Sequence, residues 1–304
     1  MIKGLDVGYS YTKDNEKRIF KSAMSQMDKA VSGAIKITID GNTYFVGTGR
    51  GTVDIDKADS ELTKVCLLAN LALTPASDFY IVTGLPIAQY REQKDKLKHA
   101  LLKYRRSTVI INGVQKDIVI NDVTVFPQSA GALYSQDILD DALIVDIGGR
   151  TVDVALLEVE NGKLSLQKCD TWYKGMLTLY GSVVDEVNRR YGLTLEPHRA
   201  EKILTKGLSV LGKPQDLDFL RPLISEHLDP MIDEISLNYP AFTTHMYLCG
   251  GGAALMSGIF KKHFPNLEVM ADCQFANAIG FYKIGQQLYG KYEKERAMAW
   301  QRKD

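Results

Sequence analysis

Residues 142–157 read ALIVDIGGRTVDVALL, and the interpretation of the whole chain turns on them. Both ends of the stretch are apolar and largely β-branched, the composition of strands buried in a sheet. Between them lies Asp146-Ile147-Gly148-Gly149-Arg150-Thr151, a short turn entered through a carboxylate. Adjacent glycines let the backbone turn sharply and leave no side chain in front of its N–H groups. A strand ending in Asp, followed by open amides and a hydroxyl, suits a hydrated divalent cation and a polyphosphate. The acid takes the metal or its waters and the amides take phosphate oxygens. Taken alone, the segment reads equally well as an ordinary glycine-containing hairpin.

The amino terminus repeats the plan. Residues 2–13, IKGLDVGYSYTK, run from an apolar strand through Asp6 and Gly8 into a small polar turn. Asp6 and Asp146 are 146 − 6 = 140 positions apart, nearly half of the 304 residues. Matching units at that spacing predict two lobes of similar fold, each bringing one phosphate-binding turn to a shared cleft. A chain of this length can bury two sizeable cores. The lobes are expected at 1–140, carrying a small inserted hairpin, and at 141–304, with a terminal helix able to pack back on the first.

Composition narrows the class. The chain is 45% hydrophobic and 24% charged, with a formal net charge of zero, so nothing global points to nucleic acid or to an acidic membrane surface. The first residues lack the apolar core of a signal peptide, and no apolar run approaches a membrane span. Cys66, Cys169, Cys249 and Cys273 are scattered without a C-x-x-C pair, which fits reduced thiols in a cytoplasmic protein better than a disulfide framework or a zinc site.

Along the chain, Arg18–Ser22 reads as a return strand and Gln26–Ser32 as a polar loop. Ile35–Ile39 and Thr43–Val46 flank the turn Asp40-Gly41-Asn42. Leu62–Leu73 has helical spacing and stops before Pro75. Phe79–Thr83 is a buried-strand run, and Tyr90–Arg105 is a charged amphipathic helix. Thr108–Ile111 and Val114–Ile120 form a hairpin about Asn112-Gly113, and Val123–Phe126 is a further strand. Pro127 to Leu133 opens a helix of small residues. Asp137–Asp141 links to the second lobe. There the strands Ala142–Val159, Leu164–Asp170 and Thr244–Cys249 alternate with helices at Leu179–Arg190, Pro197–Thr205, Asp218–Leu237 and Gln274–Leu288. The charged tail Lys291–Asp304 is solvated helix or a fraying end. Strands interleaved with helices predict an α/β class, and hairpins beside both turns predict mixed rather than purely parallel sheets. No G-x-x-x-x-G-K-[ST] occurs, which disfavours a P-loop nucleotidase.

Four segments, LDVGYSYTK, FPQSAGAL, VDIGGRTVDV and LCGGGAALM, stand in this order. The set resembles the actin, heat-shock-chaperone and sugar-kinase ATPase superfamily: two phosphate motifs, a connecting helix between them, and an adenosine motif. Finer detail is most similar to plasmid-segregation actins of the ParM type. It lies in Val82–Pro86, Pro127–Ser129, Val145–Asp153, Thr244–Ala253 and the N-x-x-G of Asn277–Gly280. The resemblance implies a two-lobed actin-like fold with ribonuclease-H-like cores, ATP (or GTP) with Mg2+, and head-to-tail self-assembly. It places Asp6 and Asp146 on the waters of the metal ion. Gly8, Tyr9, Ser10 and Lys13 fall beside the β-phosphate, and Gly148, Gly149, Arg150 and Thr151 beside the γ-phosphate. Gln128 takes the position that orients the attacking water. Gly250, Gly251, Gly252 and Ala253 lie against the adenine and ribose, and Glu201 is a candidate ribose ligand. A neutral amide orients water but accepts a proton poorly, so slow hydrolysis is expected.

These readings lead to a filament-forming ATPase that segregates plasmid DNA through an adaptor protein bound to a plasmid centromere, with no direct nucleic-acid or membrane contact. The alternatives are a cell-shape or other bacterial cytoskeletal actin homologue, and a small-molecule kinase or phosphatase of the same superfamily using Asp153. A chaperone ATPase would need a substrate-binding domain. A membrane-bound scaffold would need a more apolar tail than Lys291–Asp304.

Overall fold

The structure, a computed structural model, describes residues 1–27, 33–49, 51, 56–138, 140–160 and 163–301, with backbone alone at 163–164 and 294–301. Part of the loop expected at 26–32 and the last residues of the tail lie outside these. The chain forms two compact units, residues 1–138 with 275–304 and residues 139–274.

The first unit starts with β1 (Ile2–Val7), buried along its whole length, followed by β2 (Tyr11–Asp14), β3 (Ile19–Lys21), β4 (Met24–Ser25), β5 (Ile35–Ile39) and β6 (Asn42–Val46). Helix α1 (Glu61–Ala72) begins where the Ser60 hydroxyl accepts from the Thr63 amide. Next come β7 (Asp78–Leu85), α2 (Ile87–Leu102), β8 (Arg106–Ile111), β9 (Val114–Pro127) and the single turn α3 (Ala130–Leu133). The strands form one sheet in the order β3-β2-β1-β7-β9-β8-β5-β6-β4. The hairpin at 35–46 joins this sheet by pairing β5 with β8.

Two expectations shift here. Helix α2 starts at Ile87, a turn before Tyr90, because Pro86 sets the entry with φ −50° and needs no amide partner. The two strands expected at 114–120 and 123–126 are one. Register passes from Phe79↔Ile120 to Tyr80↔Asp122, leaving Asn121 as a bulge. That bulge lets a single strand serve both the antiparallel hairpin with β8 and the parallel pairing with β7.

The second unit opens with β10 (Ala142–Ile147), β11 (Val152–Glu160) and β12 (Lys163–Trp172), then α4 (Met176–Tyr191) and α5 (Ala200–Lys206). A small hairpin, β13 (Leu208–Val210) with β14 (Lys213–Gln215), precedes α6 (Arg221–Asn238). β15 (His245–Cys249), α7 (Ala253–His263) and β16 (Leu267–Val269) complete it. The sheet order is β12-β11-β10-β15-β16. Two antiparallel pairings are followed by two parallel ones, and the run β3-β2-β1-β7-β9 in the first unit has the same directions. Both cores are therefore the ribonuclease-H-like mixed sheet, with Asp6 and Asp146 on corresponding central strands.

Helix α8 (Ala276–Gln301) belongs to the first unit. It approaches β1 and α3 closely at glycines. A Cβ on Gly4 would stand 2.1 Å from the Ala278 carbonyl oxygen, and one on Gly280 would stand 1.9 Å from the Gly131 oxygen. Further along, Tyr289 stacks on Tyr80 at 4.8 Å, and its hydroxyl bonds Thr124 and Asp122. The four cysteines carry thiols rather than disulfides, and burial pushes the Cys66 thiol up to about 12. Among the described residues no helix is long and apolar enough to cross a membrane.

Candidate functional site

In the first unit the β1–β2 turn is closed by the Gly8 amide donating to the Tyr11 oxygen at 3.0 Å. Two steps back along the strands, Asp6 and Lys13 face each other in register, and the Lys13 ammonium lies 2.8 Å from Asp6 Oδ2. The other Asp6 oxygen accepts from Gln128 Nε2 at 2.6 Å. Burial alone would push the Asp6 carboxyl up. The Lys13 and Lys57 ammoniums and the hydrogen bonds from Lys13 and Gln128 outweigh it and hold the group below its ordinary value. Asp6 is thus a buried carboxylate kept ionised.

The turn itself is pinned from the side. The Tyr9 ring lies 4.7 Å beneath the Lys57 ammonium, and its hydroxyl accepts from Gln89 at 3.0 Å. Lys57 Nζ also donates to the Val7 carbonyl at 2.9 Å. Ser10 Oγ is buried and has no hydrogen-bond partner, which in a native turn calls for a ligand or water.

Gln128 arrives at Asp6 from the end of β9. Its amide donates to the Leu85 oxygen at 2.8 Å, and the Ala130 amide returns to the Gln128 carbonyl at 2.7 Å. The residue between, Ser129, has φ 64° and ψ −62°. An i→i+2 hydrogen bond about a residue in that region is a γ-turn of the rare, strained hand, at a cost of order 1–3 kcal/mol.

In the second unit the β10–β11 turn closes in the same way, Gly148 amide to Thr151 oxygen at 2.9 Å. Three successive amides at the start of α4 tie down the carbonyls of this turn. Gly175 donates to Arg150, Met176 to Gly148 and Leu177 to Gly149, at 2.7–3.0 Å. This explains why α4 begins at Met176 rather than at Leu179: the turn caps it. Among the described residues the Gly149 amide donates to no acceptor, leaving it available to an anion. At the register position where the first unit has Lys13, this unit has Asp153, opposite Asp146. Asp153 accepts from Thr171 Oγ1 at 2.5 Å and from Thr151 Oγ1 at 3.3 Å. The two buried carboxyl groups lie on one face of the antiparallel pair, oxygen ligands of the kind a hydrated divalent cation takes.

The β15–α7 turn packs onto the same strand end. A Cβ on Gly250, whose φ is +90°, would lie 2.3 Å from Asp146 Oδ1, and one on Gly252 would lie 2.4 Å from Ile147 Cγ2. These two glycines are required by the protein's own packing. Gly251 is open: a Cβ there would have Gln274 Nε2, at 3.9 Å, as its nearest neighbour. Ala253 is fully buried and opens α7. Glu201 lies exposed in the first turn of α5. Sequence reasoning missed Lys57, one basic residue among 37 with no motif around it, and gave Asn277 no role. Asn277 Oδ1 accepts from the Ser129 amide at 2.9 Å. Within the first unit the orphaned Ser10 hydroxyl beside Asp6, and within the second the open Gly149 amide beside Asp146 and Asp153, each have the chemistry that suits phosphate oxygens and a hydrated magnesium ion.

Two family models match the chain, one for the N-terminal domain of actin-like proteins over residues 4–131 and one for the C-terminal part of archaeal MreB-like actin homologues over residues 144–262. Comparison with curated protein sequences returned no match. Among solved structures, the archaeal actin homologue Ta0583 in complex with ADP aligns with a TM-score of 0.79 at 21% identity, covering 94% of this chain and 99% of that one. A ParM from a 15-stranded filament of Clostridium botulinum aligns at 0.74 with 21% identity over 94% and 99%. The non-polymerisable quadruple mutant of pCBH ParM aligns at 0.71 with 22% identity over the same shares. With both halves matched by actin-like models and the same fold recurring in these structures, the chain belongs to the actin-like protein family.

Proposed function

We propose that this protein is a nucleotide-dependent, filament-forming ATPase of the cytoplasm, assembling head to tail with copies of itself and segregating plasmid DNA through a centromere-bound adaptor. The observation that carries the reading is the repeated turn: the same closure, on corresponding strands, behind Asp6 in one unit and Asp146 in the other. The ParM neighbours support assembly and the ADP-bound neighbour supports nucleotide binding, both at the level of fold. A formal net charge of zero favours an adaptor over direct DNA contact.

Each unit contributes its own half of the chemistry. On this reading Asp6 in its unit and Asp146 in its own would each take waters of a magnesium ion, which when bound would supply charge neutralisation at the phosphates. The Gly8–Ser10 turn, with Lys13, binds the β-phosphate, and Ser10 Oγ gains the partner it lacks. The Gly148–Thr151 turn binds the γ-phosphate, Thr151 turning its hydroxyl from the long bond with Asp153 to the nucleotide. Gln128, with Nε2 committed to Asp6, presents Oε1 to orient water. It does not take the proton well, so hydrolysis is slow and the ATP state persists long enough to assemble. Loss of the γ-phosphate removes the contacts at Thr151 and favours disassembly. Gly251 lies against the nucleoside, and Glu201 is the candidate ribose ligand. Asp153 is only 3% exposed and holds two threonine hydroxyls, which favours no separate small-molecule phosphotransfer.

Sedimentation and light scattering with Mg-ATP, Mg-GTP or no nucleotide, on the parent and on Asp146→Ala, test the reading. Assembly is expected with triphosphate only, and to be lost in the variant. A protein that stays monomeric throughout, or a variant that assembles and turns over normally, refutes it.

A further inference from the structure

Asn277 sits inside the first turn of α8, 5% exposed, a position where asparagine is a mediocre helix former and an unmatched amide would be costly. Its Oδ1 reaches across to the Ser129 amide at 2.9 Å, in a fully buried contact 148 residues away in sequence. Ser129 is the strained centre of the γ-turn that aims Gln128 at Asp6, with φ 64°. The surroundings lock the same arrangement. The Phe281 ring, one helical turn beyond Asn277, fills the space that a Cβ on Gly131 or Gly84 would need, 2.4 and 2.3 Å away. A Cβ on Gly84 would also stand 2.9 Å from Gln128 Cγ, so the stem of the glutamine is wedged beside the ring.

A serine in this region relaxes to negative φ unless something holds its amide, and relaxation would swing the peptide that carries Gln128. We propose that Asn277 is a positioning residue for hydrolysis. It clamps the Ser129 amide so that the Gln128 side chain stays on Asp6 and its carbonyl faces the attacking water. In this arrangement Asn277 acts through Ser129 and Gln128, so it governs turnover rather than affinity. The proposal rests on the ATPase reading above and adds the residue that sets the geometry of its water.

The test is a double-mutant cycle of the parent, Asn277→Ala, Ser129→Gly and the combined variant. Phosphate release from Mg-ATP, ADP affinity by calorimetry, and melting temperature without nucleotide are measured for each. Asn277→Ala is expected to lower kcat at least ten-fold while ADP affinity stays within about two-fold. Glycine adopts the turn without a Cβ penalty, so the combined variant should regain at least half of that loss on a logarithmic scale. The melting temperatures should be non-additive in the same sense. Unchanged turnover in Asn277→Ala overturns the assignment. So does a loss of ADP affinity in step with turnover, or a combined variant no faster than Asn277→Ala. A parent that binds ADP but releases no phosphate from ATP sinks the ATPase reading instead. The clamp is then decided by the melting temperatures alone, where additive effects refute it.

Discussion

Asp6 is the residue on which the first half-site depends, and its charge is maintained against burial. At 3% exposure it is ionised because Lys13, Lys57 and Gln128 surround it. A carboxyl whose folded pKa lies below its unfolded value of about 3.9 stabilises the fold fully above that value. The contribution is lost as pH falls through the lower, folded value. Lys13→Met removes the largest favourable influence and leaves the burial. The Asp6 pKa should therefore rise, and the acid unfolding midpoint should move to higher pH. A carbon-13 titration of the aspartate carboxyls checks the first effect and circular dichroism against pH the second. Gln128→Ala should cut ATP turnover by roughly 100-fold, the lower end of what one oriented proton-transfer or water-positioning group supplies. ADP affinity should hardly change, because Gln128 touches Asp6 and not the turn amides. As candidates, Asp6, Asp146 and Gln128 stand out in the sequence because each sits at a fixed offset from a glycine turn or a proline. Lys57 was not. Its role comes from folding back over Tyr9 from a segment about 50 residues away, and no local pattern records that.

The elements around the site are held by backbone-to-backbone approaches that only glycine permits. On α8, Gly280 faces the Gly131 carbonyl with no room for a methyl group, whereas Gly290 has no atom within 4 Å of the same position. The two glycines give a controlled comparison on one helix. Gly280→Ala must push α8 off α3 and should destabilise by about 1–3 kcal/mol or more, as overpacking does. Gly290→Ala should be neutral or stabilising by up to about 1 kcal/mol through helix propensity. Urea unfolding of the two variants decides, and equal midpoints would refute a close-packed α3–α8 contact. Element identity was readable wherever periodicity was clean, as in β1, β10, α1 and α6. It failed where tertiary context decides. The Asn121 bulge merges two expected strands because β9 must satisfy partners of opposite direction. The start of α4 is set by carbonyls of a turn some 25 residues earlier, which no capping residue in its own sequence announces.

At the scale of the molecule, the repeated sheet supports the nucleotide half of the proposed function, and the hairpin β13–β14 bears on its assembly half. Its tip, Leu211-Gly212, has φ 49° and 78°, so both residues lie in the left-handed region, as in a type I′ turn. Such turns favour Asn-Gly, and a leucine there costs on the order of 1–2 kcal/mol while exposing its side chain. Leu211 is 97% exposed, the most exposed large apolar residue among those described. In the head-to-tail assembly proposed above, an apolar side chain held at such a tip would be buried against the next copy, where a leucine is worth roughly 1.5–3 kcal/mol. Sequence reasoning passed over this hairpin because Leu-Gly is not a turn signal, and the missing signal is itself the informative feature. Leu211→Asn should therefore separate folding from assembly. The monomer should melt a few degrees higher and bind ADP as the parent does. The critical concentration for Mg-ATP assembly should rise about ten-fold, for a loss near 1.4 kcal/mol per contact. Sedimentation across a concentration series measures it. A variant that melts higher yet assembles at the parent's critical concentration would place the tip outside the longitudinal contact and leave the cost of Leu211 without that explanation.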